Sequence, residues 1–115
     1  MSRLPTEEAQ RLARSNNRAT VRYRCAPATA GKVFVADDAE VDRAWVMNIS
    51  KTGIGVVFAR PLPVGSFLTI QMRAGEGTID MNAHVVHATR QNHADWYLGC
   101  ELINPLNDDD LELLL

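Results

Sequence analysis

Two short sets of residues in this chain carry chemistry that a small fold does not need for its own stability. Arg18 and Arg22 stand four apart in Arg18-Ala19-Thr20-Val21-Arg22. In an extended segment both guanidiniums project from one side, about 13 Å apart at ~3.3 Å per residue, and a bend would bring them onto one ligand. The planar guanidinium fork pairs bidentately with phosphate oxygens or with the O6 and N7 edge of guanine. The second set is Asn48, Ser50 and Gly53 in Asn48-Ile49-Ser50-Lys51-Thr52-Gly53. Asn48 offers a donor and an acceptor, and Ser50 a hydroxyl two residues on, on the same face of an extended chain. Gly53 permits a positive φ, so turn amides could approach a ligand closely. Each set alone has a plainer meaning, a solvated arginine pair and a hairpin turn bonded to itself.

The elements that must position these residues read as strands. Val21 to Cys25 alternates and ends before Pro27, and Lys32–Val35 and Arg43–Ile49 follow. Gly53–Phe58 places Ile54, Val56 and Phe58 on one face, and Phe67–Met72 places Leu68, Ile70 and Met72 on one face. Thr78 to Thr89 directs Ile79, Met81, Ala83 and Val85 inward, and a last strand alternates through Trp96, Leu98, Cys100 and Leu102. Short strands with turns between them and almost no helix predict an all-β fold, a small antiparallel six-stranded barrel whose closure leaves no exposed edge. Residues 1–16 read as an arm with a short helix over 5–14, where Thr6 caps and Glu7 and Glu8 precede the arginines. Residues 17–104 form the barrel. Residues 105–115 begin a C-terminal helix at the run Asp108-Asp109-Asp110.

The chain has 115 residues, 46% hydrophobic and 23% charged, which bounds it to one globular domain. Its net charge of −2 is unevenly spread. Residues 1–24 carry six arginines against Glu7 and Glu8, a balance of +4, and the rest carries six Lys or Arg against twelve Asp or Glu, a balance of −6. An arginine-rich arm on an acidic body fits a small anionic ligand, while the body would repel DNA or RNA, whose binding rests on broad phosphate neutralisation. No apolar run reaches the ~18 residues of a membrane helix, and no secretory signal opens the chain, so a cytoplasmic setting without membrane insertion is expected. Cys25 and Cys100 then read as reduced thiols. His84 and His87, three apart on a strand, would point to opposite faces and, with His93, make no zinc set. No nucleophile elbow, P-loop or acid–base pair appears, so no catalysis is expected and no cofactor or metal is called for.

In this order and among strands of this pattern, the two sets resemble the signature of the PilZ family, an RxxxR arm followed by [D/N]xSxxG. The resemblance rests on Arg18, Arg22, Asn48, Ser50 and Gly53, with the Tyr23-Arg24-Cys25 strand start and the closing Leu98-Gly99-Cys100-Glu101-Leu102, over residues 17–104. It implies a receptor for the bacterial second messenger cyclic di-GMP. Arg18 and Arg22 would take the guanine Hoogsteen edge and the phosphates, Asn48 the guanine amino and imino edge, and Ser50 nearby ligand atoms. Gly53 would keep the turn clear, and the arm would wrap over the bound nucleotide. The family pattern has a second adjacent arginine where this chain has Asn17, a secondary site position that bears on whether one ligand or a stacked pair binds. A downstream protein partner is implied, and a second copy of the chain is a further candidate partner. The alternative is a nucleotide-free PilZ-like interaction module in motility or pilus assembly. A small oligonucleotide-binding barrel would need Trp45 or Trp96 as a stacking surface and more basic strands.

Overall fold

Alternation of apolar and polar residues dictates strands that each bury one face, and the chain closes them around a single core. A computed structural model describes residues 21–26, 29–36, 38 and 40–115. The predicted arm helix, Asn17 and Arg18 lie outside the described residues. The elements are β1 (Tyr23–Arg24), β2 (Ala30–Val35), β3 (Val41–Ile49), β4 (Gly53–Phe58), β5 (Phe67–Ala74), β6 (Gly77–Arg90), β7 (Trp96–Leu102) and α1 (Asp108–Leu114). Six of the strands pair antiparallel in the ring β3-β2-β5-β6-β7-β4, which the β3–β4 pairing closes. This is the predicted six-stranded barrel with a short C-terminal helix.

The predicted first strand is reduced to two residues. Tyr23 and Arg24 pair with Ile49 and Asn48, and the Cys25 amide adds one bond to the Met47 carbonyl at 2.9 Å. β1 therefore lies against the C-terminal end of β3, where Arg22 just before it reaches Asn48.

Two strands carry an extra residue. The β3–β4 register passes from Val46↔Val56 to Asn48↔Gly55, leaving Met47 unpaired in the ladder. Upstream of it Ala44 and Val46 point into the core, and downstream Ile49 does. A bulge changes the parity of a strand and bends it, so Asn48 escapes the core position that strict alternation would assign. In β6 the register shifts between Val85↔Cys100 and His87↔Gly99, with Val86 inserted. This corrects the expectation for the histidines: His84 and His87 lie on the same outer face, opposite Glu101 and Gly99.

The core is filled by Val33, Ile49, Ile54, Ile70, Val85 and Leu98, all essentially inaccessible to solvent. Helix α1 is capped by Asn107, whose side chain accepts from the Asp110 amide at 2.7 Å, and Asp108, Asp109 and Asp110 occupy its first turn, where the helix dipole favours acids. Its Leu111 and Leu114 join the core together with Leu106. Among the described residues no helix is long and apolar enough to cross a membrane, and no group of His, Cys, Asp and Glu could hold a metal ion.

Candidate functional site

The turn between β3 and β4 is built by its own side chain. Ser50 donates its amide to the Gly53 carbonyl at 2.9 Å, and its Oγ accepts from the Gly53 amide at 3.0 Å and the Thr52 amide at 3.3 Å. Ser50 is buried, and its hydroxyl is committed to the turn. The C-terminal segment pins the same turn from outside. Leu102 and Leu106 donate to the carbonyls of Thr52 and Lys51, each at 2.8 Å, and Lys51 pairs with Asp108 at 2.6 Å.

On the outer face beside this turn, Arg22 Nη1 donates to Asn48 Oδ1, and Asn48 Nδ2 donates to the Tyr97 hydroxyl at 3.1 Å. Three glycines make the floor. A Cβ on Gly53 would lie 2.9 Å from Arg22 Nη2 and 3.2 Å from the Cys100 carbonyl. A Cβ on Gly55 would overlap the Tyr97 ring and hydroxyl and crowd Asn48 Oδ1. A Cβ on Gly99, the partner of Gly55 across β4 and β7, would overlap the His87 ring. Tyr97 and His87 are neighbours there, their ring centroids 5.7 Å apart at 32°. Glycine in a strand interior forfeits packing and marks close approach of another group, and here side chains lie flat on bare backbone.

This corrects the reading of Gly53. Positive φ is found at Gly65 and Gly75, in the turns before β5 and after it, and not at Gly53. Gly53 is required for space: the guanidinium of Arg22 covers it.

The Arg22–Asn48–Tyr97 chain lines an open cleft of about 820 Å³ together with Arg24, Cys25 and Trp45. Trp45 stays 45% exposed on the outer side of β3, a flat apolar wall for the cleft. Burial pushes the Cys25 thiol above its ordinary pKa, so it stays protonated near neutrality. Of the residues expected to bind ligand, Arg22 and Asn48 line the cleft together, Ser50 and Gly53 build the turn beneath them, and Arg18 and Asn17 fall outside the described residues. Sequence reasoning missed Tyr97 and His87 as parts of this surface. The signal was the glycine run itself, Gly53, Gly55 and Gly99 within otherwise apolar strands.

Comparison with known proteins bears on this arrangement. The PilZ domain family model matches residues 13–115. This chain belongs to the PilZ domain family. No curated protein matches the sequence. Among solved structures, this PilZ domain is similar to the PilZ domain with c-di-GMP of YcgR from Escherichia coli, at 18% identity and a TM-score of 0.65, covering 84% of this chain and 86% of that one. It is similar to the Bacillus subtilis inhibitor of motility MotI/DgrA, at 23% identity and a TM-score of 0.66, covering 85% and 48%. A longer YcgR chain in complex with c-di-GMP matches at 17% identity and a TM-score of 0.63, covering 84% and 42%. The chain thus spans less than half of the two longer neighbours, and at these identities the likeness is one of fold.

Proposed function

We propose that this PilZ domain is a receptor for cyclic di-GMP. The observation that carries the reading is the Arg22–Asn48–Tyr97 chain, which lies over a glycine floor and lines the 820 Å³ cleft. Arg22 holds Asn48 through a contact to a neutral acceptor, which a phosphate or guanine edge would outbid, because charge-assisted and bidentate bonds are stronger. Asn48, released, presents donor and acceptor to a guanine edge while Tyr97 keeps its amide oriented. Arg18, four residues before Arg22, joins it on the same nucleotide, so ligand binding reorders the arm. Ser50 acts by fixing the turn, and Gly53 by leaving room for Arg22. The family match and the c-di-GMP held by two YcgR structures support this reading.

The test is a calorimetric titration of the chain with cyclic di-GMP, with GTP and cyclic di-AMP as controls. Guanine-selective binding, weakened by Arg22→Ala by about 1–3 kcal/mol, is the expected result. Its stoichiometry fixes whether Asn17 limits the site to one ligand. The absence of heat and of any thermal shift at high ligand would replace this reading by that of a PilZ interaction module without nucleotide.

A further inference from the structure

The acidic body of the domain, residues 25–115, contains six cationic side chains. Three are engaged within the fold. Lys51 pairs with Asp108 at 2.6 Å, and Arg60 with Asp38 and Asp42 at 2.9 and 3.1 Å. Arg90 lies over the Trp96 ring and donates to the carbonyls of Asn92 and His93.

The other three, Lys32, Arg43 and Arg73, converge on one groove of about 330 Å³ across the outer faces of β2, β3 and β5. Lys32 stands directly opposite Arg43 on β3 and opposite Gln71 on β5, and Arg73 lies two residues beyond Gln71. Among the described residues none of the three makes an ion pair. Asp80, across from Gln71, accepts from the Gln71 amide at 2.9 Å instead. Like charges directly opposite each other on a sheet are destabilising. In a body with twice as many acids as bases, such a cluster is costly for the fold and useful only to a partner.

We propose that this groove docks an acidic segment of a partner protein, with carboxylates set against Lys32, Arg43 and Arg73. The form of the site selects that occupant. The main-chain amides of β2, β3 and β5 are spent in the ladders, so a single phosphate would find no amide cradle. The three cations are spread over two inter-strand steps of about 4.8 Å each, which suits several carboxylates on one segment. A long nucleic acid would meet the acidic remainder of the body. The groove adjoins the nucleotide cleft, because Trp45 of the cleft pairs with Ala30 of the groove. The proposal does not depend on cyclic di-GMP binding.

The test uses the full chain without nucleotide and, as probe, a fluorescein-labelled oligoglutamate peptide of about eight residues, long enough at ~3.3 Å per residue to cross the groove. Anisotropy should show saturable binding that the matching oligoglutamine peptide lacks. Combined Lys32→Glu, Arg43→Glu and Arg73→Glu should weaken it at least about tenfold, as three surface pairs are lost. Arg43→Glu alone should weaken it, while Arg90→Glu, with the same change in net charge, should not. The three reversed side chains face outward, and a melting temperature no lower than that of the native protein confirms that each variant is folded. The proposal is overturned if the peptide does not bind, or if Arg90→Glu weakens it as much as Arg43→Glu. Tighter binding of a short DNA duplex or of anionic phospholipid vesicles at the same groove would also overturn it, as would displacement by inorganic phosphate at equal charge.

Discussion

The side-chain amide of Asn48 on β3 donates to the Tyr97 hydroxyl on β7 at 3.1 Å, across the width of β4. The bond passes over Gly55 of β4, where a Cβ would meet both partners. It leaves Asn48 with its oxygen toward Arg22 and its nitrogen fixed, so the orientation of the amide is set before any ligand arrives. Tyr97→Phe removes that acceptor and retains the ring. Cyclic di-GMP affinity should fall by about 0.5–1.5 kcal/mol, the worth of one neutral hydrogen bond, with little change in melting temperature. Calorimetry on the two proteins side by side measures it.

Gly55→Ala is a sharper probe of the same floor. Its Cβ would overlap the Tyr97 ring and stand 2.9 Å from Asn48 Oδ1, so both side chains must leave together. Ligand binding should fall further than in Tyr97→Phe. Gly53→Ala should be milder for the fold, because the group nearest its Cβ is the far end of Arg22, although the Cys100 carbonyl at 3.2 Å must also give. Titration of both variants, with circular dichroism to report the barrel, separates the two.

Ser50→Ala should act on stability more than on ligand contact. The Oγ accepts from the Gly53 and Thr52 amides in a buried turn, and the alanine would leave the Gly53 donor short of a partner at a cost of about 1–3 kcal/mol. Urea denaturation checks this. A variant of wild-type stability with strongly reduced nucleotide affinity would instead assign Ser50 to the ligand.

Alkaline pH should destabilise the barrel through Cys100. Burial pushes its thiol up to about 12, against a reference near 9 for the unfolded chain. Both states hold the proton below pH 9, so the thiol leaves stability unchanged there. Between about pH 9 and 12 the unfolded chain ionises first and folding weakens, by about 4 kcal/mol at the limit of three pK units. In Cys100→Ala this part of the alkaline fall should vanish. In the native protein at pH 8, a thiol reagent should modify half-buried Cys25 before Cys100.

Much of the barrel was legible because inward positions alternate faithfully: Ile54, Val56 and Phe58 in β4, and Leu68, Ile70 and Met72 in β5, fall where the period of two puts them. The Asn-x-Ser-x-x-Gly turn was legible as a motif, but the division of work within it was not. That Ser50 serves the turn while Asn48 faces the cleft depends on Met47 and on the tyrosine of a strand 49 residues away. His87 was misplaced because Val86 adds a residue that no local pattern announces. The unpaired state of Lys32, Arg43 and Arg73 was equally invisible, since it follows from which strands become neighbours.

The extra residue Met47 has a consequence for how this domain can vary. Before it Ala44 and Val46 are interior, and after it Ile49 is. The strand is two frames joined at a splice, and Asn48 is the first residue of the second frame. Pairing Met47 in the ladder would leave every side chain of the motif intact and yet turn the Asn48 amide into the hydrocarbon interior and Ile49 out to water, whereas deleting Met47 would straighten the strand and keep Val46 in, Asn48 out and Ile49 in. What this segment must preserve is therefore a frame as much as an alphabet: substitutions at Met47 should be tolerated widely, and its removal should change the bend of the strand while Asn48 and Ile49 keep their faces.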